Sequence, residues 1–238
     1  MSMNFKVLDG YPNLKYGFSE KKDGLMKLFP DDRNSKNRER FFESKKIPSN
    51  RIVSADLVHG VNIEIVKNSD AAAIKPRTDG LTTSEPNLFL TITGADCFAV
   101  YFFDPKKKAI GIAHVGWRGL VGGIIMNMLS EMKKRFDSNS IDLMAAIGPG
   151  IRKCHFEVNS SDRAYYKGYP EFILDKGEKS NIDMPEIIKK QLTEGGLAEK
   201  NIEDYEECTY CLDKKYFSYR RDKSPKIEAQ VAFIGLVK

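Results

Sequence analysis

The stretch "KAIGIAHVGWRGLVGGIIMNMLSEM", residues 108–132, contains an abrupt change of hydrophobic period. Its first part, 108–115, is a short apolar run of the kind that forms a buried strand. From Leu120 onward the apolar residues recur every three or four positions, which predicts an amphipathic helix over about 119–136. A strand is therefore expected to pass directly into a helix, and His114 lies at the junction beside the only tryptophan.

Strands are predicted on both sides of this junction, because short apolar runs alternate with turn signals such as "DPKKK" at 104–108. The predicted strands cover residues 51–60, 61–68, 87–96, 97–104, 108–115 and 141–151, and three closing strand-type segments cover 203–211, 216–222 and 226–238.

Two more helices are predicted. A polar one is expected over "SKNRERFFESKK", 35–46, capped near Ser35. The other begins after Asp183, with Pro185 in its first turn and Glu186 completing a capping box, and it stops at Gly195–Gly196. Many short strands and three or four helices, without a strict β-α-β alternation, favour the α+β class and a single domain over 1–238.

The composition excludes several classes of protein. With 38 basic and 33 acidic side chains in 238 residues the net charge is only +5, and no dense basic run is interleaved with aromatics, which argues against a nucleic-acid partner. The N-terminal segment has no apolar core of signal-peptide length, and the run "CFAVYFF" is too short for a membrane span. We therefore expect a cytoplasmic protein whose basic surplus suits a small anion such as phosphate.

Three potential metal ligands lie at predicted strand ends, each within three residues of a glycine: His59, Cys97 and His114. Three ligands of this type leave a fourth position open, as a catalytic zinc site requires. The same residues suit a metal-free hydrolase, with Cys97 as nucleophile, a histidine as base and Asp96 orienting that histidine. Structural roles for each residue are a further alternative, so the pattern alone does not decide between these hypotheses.

A second cysteine feature is "CTYC", which contains Cys208 and Cys211. A closed zinc site would need another ligand pair, and only Cys154 and His155 remain to supply it. The default interpretation is two structural thiols beside a strand.

Two arginines are candidates for anion binding. Arg118 follows the Gly-Trp pair at the predicted helix N-terminus, where it is either a surface residue or part of an anion site beside His114. In "FSYRRD", strand alternation would allow only one of Arg220 and Arg221 to face a given side, and Arg220 is the candidate. Asp79, in "RTDGL", is assigned to turn formation.

Six segments together resemble the laccase-domain family, also called the YfiH, polyphenol-oxidoreductase or peptidoglycan-editing-factor family. They are "LVHG", "TDGLTT", "GADCFAV", "AHVGWRG", "IGPGIRKCHFEV" and "CTYCLDKKYFSYRRD". The resemblance runs from about residue 15 to about 222. It implies layered sheets flanked by helices (αββα-type) and a zinc site made by His59, Cys97 and His114.

The resemblance also implies phosphorolysis of adenosine, inosine, guanosine and methylthioadenosine, together with adenosine deamination. Two departures concern the site: Ala99 stands where the family usually has proline, and Lys21 stands where an arginine is typical. Lysine keeps the charge but loses the bidentate fork, so anion affinity or substrate choice is affected.

The number of histidines tests whether the chain can be a laccase of the multicopper oxidase type. A multicopper oxidase needs many histidines, and this chain has three, so it cannot be one; a single copper ion with weak polyphenol oxidoreductase activity remains compatible. The sequence predicts a zinc-dependent purine nucleoside phosphorylase and adenosine deaminase, with small-molecule purine nucleosides and phosphate as partners and no role for a membrane. The alternatives are a cysteine hydrolase acting on peptidoglycan and a non-catalytic protein with structural zinc.

The predicted catalytic residues are Cys97, His114 and Arg118, and the predicted phosphate-binding residues are Lys21, Arg118 and Arg220.

Overall fold

A computed structural model of the chain describes residues 3–28, 32–226 and 228–238, without the side chain of Asp32. Ile227, which falls in the predicted segment 226–238, lies outside these ranges. The helices within them are α1 (Asp32–Ser44), α2 (Trp117–Gly122), α3 (Ile124–Phe136), α4 (Met184–Glu194) and α5 (Tyr219–Asp222). The strands are β1 (Leu14–Phe18), β2 (Ile52–Ala55), β3 (Ile63–Ile65), β4 (Ile74–Lys75), β5 (Gly80–Thr83), β6 (Phe89–Gly94), β7 (Phe98–Asp104), β8 (Ala109–Val115), β9 (Met144–Ile147), β10 (Glu157–Asn159), β11 (Ile173–Asp175), β12 (Lys179–Ile182), β13 (Ile202–Asp204) and β14 (Gln230–Leu236).

These strands form three sheets. The first has the order β1-β14-β6-β2-β4, the second β13-β9-β7-β8-β5-β3, and a small third sheet β10-β12-β11. The centre of the second sheet is the antiparallel pair β7–β8, joined by the short turn that "DPKKK" predicted. Mixed parallel and antiparallel neighbours are what the absence of strict β-α-β alternation predicted.

The two large sheets pack face to face between helices. Strand β7 is buried on both faces, so its alternate side chains serve two cores: Val100 and Phe102 face α3 and α4, while Tyr101 and Phe103 face the first sheet. On the other side of the first sheet, Phe41 of α1 packs against that sheet. The layering is helix, sheet, sheet, helix, which confirms the predicted α+β class and its αββα arrangement.

The helix predicted over 119–136 is two helices instead of one. It begins earlier, at Trp117, and breaks at Gly123, which has a left-handed φ of +91°. The apolar period continues across the break, because Leu120 and Ile124 are both buried against the second sheet. Hydrophobic spacing alone therefore could not reveal the break.

Three further details differ from the sequence predictions. Helix α1 begins at Asp32, so Ser35 lies inside it and does not cap it. Asp183 precedes α4 but accepts no capping hydrogen bond, because its carboxylate pairs with Lys153 at 2.8 Å. The segment 216–222 contains helix α5 and no strand.

Other predicted boundaries hold. Pro185 lies in the first turn of α4, and that helix ends at Glu194, directly before the two glycines. Among the described residues, no helix combines the length and the apolar character that crossing a membrane requires.

Candidate active site

His59, Cys97 and His114 meet at one edge of the second sheet; they are called the trio below. Cys97 directly precedes β7 and His114 lies near the end of β8, so the antiparallel register of Ala99 with His114 places the two side by side. His59 lies in the loop before β3, which runs parallel to β5 and starts at the same edge. Their ligand atoms lie within 4.8 Å of one another.

Asp79 fixes two members of the trio at once. Its fully buried carboxylate accepts hydrogen bonds from the backbone N–H groups of His59 (2.8 Å) and Gly60 (2.7 Å). It also lies 3.0 Å from Nδ1 of His114. The ring nitrogen Nδ1 therefore carries the proton that faces Asp79, and Nε2 is left to the trio. His59 itself has a left-handed φ of +59°, a conformation that this loop must hold in place.

The metal-free hydrolase alternative predicts that Asp96 orients the histidine, but the carboxylate beside His114 belongs to Asp79. Asp96 accepts hydrogen bonds from Thr209 Oγ1 (2.7 Å), Ser218 Oγ (3.0 Å) and the backbone N–H of Arg220 (2.7 Å). It therefore anchors the start of α5. The sequence pattern predicts only a turn role for Asp79. Its position just before β5, at the edge where His59 lies, becomes apparent only from the pairing of β3 with β5.

The charges of the trio support one another. Desolvation raises the pKa of the Cys97 thiol, but the charge of His114 and hydrogen bonds to both histidines outweigh it and lower the pKa to about 6. Desolvation lowers the pKa of His114, but the Cys97 thiolate and Asp79 raise it to about 9. Each of the two groups therefore favours the charged form of the other.

The trio fits a zinc ion chemically. Two imidazoles and one thiolate are ligands that zinc accepts, and three protein ligands leave a position for water or substrate. The backbone at Gly116 approaches the trio closely: a Cβ atom there would lie 3.0 Å from Cys97 Sγ and 3.2 Å from a ring carbon of His59. A side chain at position 116 would therefore crowd these two residues.

A cavity of about 660 Å³ opens over the trio. Its size lies in the range of small-molecule sites, about 300–1,000 Å³. The lining residues, besides the trio, include the aromatic side chains of Phe98, Trp117, Phe156 and Tyr219 and the charged side chains of Lys27, Asp56, Arg118 and Arg220. A larger cavity of about 790 Å³ beside β1 contains no member of the trio, so its size alone does not make it the active site.

Two of the three predicted anion-binding residues line the cavity over the trio. The guanidinium of Arg118 lies 4.2 Å from the Trp117 ring, and that of Arg220 lies 5.5 Å from the Phe156 ring. Arg221 points elsewhere and donates to the carbonyls of loop residues, including Thr209. Helix α2 has only six residues, so an anion bound beside His114 would depend on the guanidinium of Arg118 more than on a helix N-terminus.

Lys21 does not line this cavity. Its Nζ lies 3.9 Å from Asp222 and 5.3 Å from the centre of the Phe217 ring. Its part in phosphate binding stays a prediction.

A second ligand group lies apart from the trio. Cys154, His155, Cys208 and Cys211 place their ligand atoms within 4.8 Å of one another. From the sequence alone, a closed zinc site is the less favoured interpretation of the "CTYC" motif, but the fold brings all four residues together.

Comparison with known proteins places these features in a family. The family model described as multi-copper polyphenol oxidoreductase laccase matches residues 30–236. The chain is similar to "Purine nucleoside phosphorylase YlmD" of Geobacillus stearothermophilus, at 34% identity over 86% of this chain and 80% of the relative. It is 30% identical to "Purine nucleoside phosphorylase YfiH" of Escherichia coli over 81% of this chain and 77% of the relative.

Solved structures agree with the fold. The crystal structure of YlmD from Geobacillus stearothermophilus superimposes with a TM-score of 0.90 at 30% identity, covering 96% of this chain and 93% of that one. A Bacillus licheniformis protein described as hypothetical protein YfiH gives a TM-score of 0.89 at 31% identity, covering 94% and 92%.

Proposed function

The chain belongs to the multi-copper polyphenol oxidoreductase laccase family, and from that premise we propose that it is a zinc-dependent purine nucleoside phosphorylase that also deaminates adenosine. The observation that carries the proposal is the trio, backed by Asp79, at a cavity that Arg118 and Arg220 also line. Similar proteins named purine nucleoside phosphorylases support it.

The cavity offers separate groups for binding the purine and the phosphate. Tyr219, an exposed aromatic side chain of the cavity lining, offers a ring against which a purine can stack. The guanidinium groups of Arg118 and Arg220 lie over the rings of Trp117 and Phe156, and guanidinium groups bind phosphate oxygens in bidentate fashion. A phosphate held there would lie beside the stacked nucleoside.

In the proposed phosphorolysis, a phosphate oxygen attacks the anomeric carbon C1′ of the ribose while the bond from C1′ to the purine nitrogen breaks. The bonding electrons pass to the purine, which takes up a proton, and ribose 1-phosphate is the other product. Arg118 and Arg220 hold the attacking anion in line and neutralise its charge. The aromatic walls exclude water that would otherwise hydrolyse the nucleoside.

His59, Cys97 and His114 would hold the zinc ion, and Asp79 would hold two of these ligands in position. When bound, the ion supplies Lewis acidity and lowers the pKa of water, which is the chemistry that removal of the purine amino group needs.

A second function is favoured by one specific arrangement. Cys97, His114 and Asp79 follow one another as nucleophile, base and orienting carboxylate would in a cysteine hydrolase, here acting on peptidoglycan. This mechanism needs no metal, so metal dependence separates the two functions.

The deciding experiment measures metal content and turnover together. The purified protein is incubated with adenosine or inosine and phosphate, and ribose 1-phosphate, hypoxanthine and ammonia are followed, before and after chelation and with Cys97→Ala. We expect turnover that chelation and Cys97→Ala both abolish. Full activity in metal-free protein would remove the zinc mechanism, and cleavage of peptidoglycan fragments without nucleoside turnover would favour the hydrolase.

Arg118→Ala tests the phosphate site, with Arg135→Ala as its matched control. Arg135 is an exposed arginine of α3 that pairs with Glu131 at 3.4 Å, outside the cavity. Loss of a charge-assisted contact worth about 1.5–3 kcal/mol should raise the KM for phosphate roughly 10- to 100-fold in Arg118→Ala. Equal KM values in both variants would remove Arg118 from the phosphate site.

A further inference from the structure

Cys154, His155, Cys208 and Cys211 form a compact group, called the tetrad below, on two turns. The first turn follows β9 and the second follows β13, and these strands are parallel neighbours. Both turns therefore leave the same edge of the second sheet. A backbone bridge between Gly150 and Cys208 joins the two turns, and Thr209 N–H donates to the Gly150 carbonyl at 3.1 Å.

The separations within the tetrad match those of a tetrahedral zinc site. Zinc binds sulfur at about 2.3 Å and imidazole nitrogen at about 2.0–2.1 Å, so tetrahedral ligands lie roughly 3.8 Å (S–S) and 3.5 Å (S–N) apart. Cys154 Sγ lies 3.6 Å from both Cys208 Sγ and Cys211 Sγ. Cys211 Sγ lies 3.3 Å from Nδ1 of His155.

The surroundings of the tetrad hold its members in these positions. Backbone hydrogen bonds close both turns: the N–H of His155 donates to the carbonyl of Arg152 at 2.9 Å, and that of Leu212 donates to the carbonyl of Cys208 at 3.1 Å. The His155 ring stacks on Tyr210, with centroids 3.9 Å apart and planes 15° apart, which fixes the direction of Nδ1. Metal ligands need contacts of this kind, which hold them in a fixed orientation.

A disulfide explains the group less well than a metal does. Cys154 Sγ is equally far from two sulfurs, and bonding to either one would leave the third thiol and His155 without a partner.

We propose that the tetrad binds a structural zinc ion with three thiolates and one imidazole. Four protein ligands leave no position for a substrate, so this ion would stabilise the fold and take no part in the chemistry. It would fasten the two turns together. Thr209, between two of the ligands, donates to Asp96, which in turn accepts the N–H of Arg220. The tetrad therefore supports the arginine side of the cavity, but its metal binding does not depend on the proposed reaction.

The experiment separates the two metal sites by removing the trio first. Full-length Cys97→Ala protein, produced with zinc present, is compared with Cys97→Ala/Cys211→Ser by elemental analysis of metal per chain. We expect about one zinc ion in the single variant and close to none in the double variant. Cobalt(II) loaded into Cys97→Ala should show the intense visible bands of tetrahedral geometry and near-ultraviolet thiolate charge-transfer bands, and both should weaken in the double variant.

A variant that fails to fold does not block the test. In Cys97→Ala protein with its tetrad intact, titration with a mercurial reagent should release zinc in step with modification of the three remaining thiols. The proposal is overturned if the Cys97→Ala protein binds no zinc, if its zinc is retained after all three thiols are modified, or if mass spectrometry finds Cys154 in a disulfide with Cys208 or Cys211.

Discussion

The trio and the tetrad gather the same kinds of ligand but differ in the number of ligands and in access to a cavity. The trio has three members, from exposed His59 to buried His114, with a buried carboxylate behind His114 and a cavity in front. The tetrad has four members with a similar range of exposure, and hydrogen-bonded turns and a stacked tyrosine support it. One set therefore faces a cavity, and the other closes on itself.

This difference separates chemistry from stability. A metal ion with an open position can act on a bound molecule, whereas a metal ion with four protein ligands contributes to folding free energy. The two sets lie at the same edge of the second sheet, because the start of β7, next to Cys97, pairs with the end of β9, which leads into the tetrad. Ligand number and access to a cavity, more than ligand type, assign the roles.

The largest expected effect is that a change in the trio mainly lowers activity, whereas a change in the tetrad mainly lowers stability. Cys97→Ala should lower nucleoside turnover by about 10³-fold or more, because loss of a ligand removes several kcal/mol of charge stabilisation, and it should lower the unfolding temperature less than Cys208→Ala does. Cys208→Ala should lower the unfolding temperature and keep most of the activity per folded molecule. Steady-state kinetics and thermal unfolding of both variants check this; matching losses of stability in both would contradict the comparison.

Asp79→Asn tests the carboxylate behind the trio. Loss of a carboxylate that holds a metal-binding histidine in position typically lowers metal affinity or activity by about 10- to 100-fold. We expect that decrease in zinc affinity at the trio, because the amide cannot hold the Nδ1 proton of His114 as a carboxylate does. Competition with a chelator measures it in a protein that also carries Cys211→Ser, so that the tetrad does not contribute. Unchanged affinity would mean that backbone contacts alone position the trio.

Asp204→Asn tests the corresponding carboxylate near the tetrad. Asp204 is 2% exposed and pairs with Arg152, which begins the turn that carries Cys154, at 2.5 Å. Burial raises the pKa of Asp204, but Arg152 outweighs it and the pKa is lowered. The stabilisation is therefore present above the ordinary carboxyl pKa and disappears as the pH falls through the lowered value.

We expect Asp204→Asn to reduce the free energy of unfolding by about 2 kcal/mol at neutral pH. This loss is smaller than that of a fully buried ion pair, because Arg152 is partly exposed. The difference from the unchanged protein should shrink as the pH falls below about 4. Urea unfolding at several pH values, with chelator present to remove the contribution of metal release, gives the measurement. A difference that grows in acid would have the wrong sign for this interpretation.

Thr209→Val tests the connection between the two regions and has the smallest expected effect. It removes the hydroxyl that donates to Asp96 at 2.7 Å, which should reduce the free energy of unfolding by about 1 kcal/mol. A rise of a few-fold in the KM for phosphate should accompany it, because Asp96 also holds the N–H of Arg220. The control is Thr193→Val, whose hydroxyl bonds only to carbonyls of its own helix. Equal effects of the two variants would deny the connection.

The parts of the fold that the sequence predicted are those with a strong local signal. Strands β7 and β8 are continuous apolar runs separated by a clear turn, and α4 has a proline at its start and glycines at its end. The break at Gly123 was missed because the apolar period continues through it. The helix at Tyr219–Asp222 was missed because four residues are too few to show a period.

The parts of the candidate site that lie in recognisable sequence motifs could be predicted. The parts that arise only from the pairing of distant strands could not. Family resemblance named His59, Cys97 and His114, and the fold brings them together. The role of Asp79 depends on the parallel pairing of β3 with β5, which nothing in the segment "RTDGL" encodes. Similarly, the tetrad joins segments 54 residues apart, at Cys154 and Cys208, because β9 and β13 are neighbours.

Gly116 has an ordinary backbone φ of −81°, so an alanine there would not strain the chain. Its importance is volume: one methyl group would occupy the space beside Cys97 Sγ and His59. Gly116→Ala would therefore crowd two members of the trio while all three ligand side chains remain in the chain. The identity of a residue that donates no ligand thus controls whether the trio keeps its arrangement.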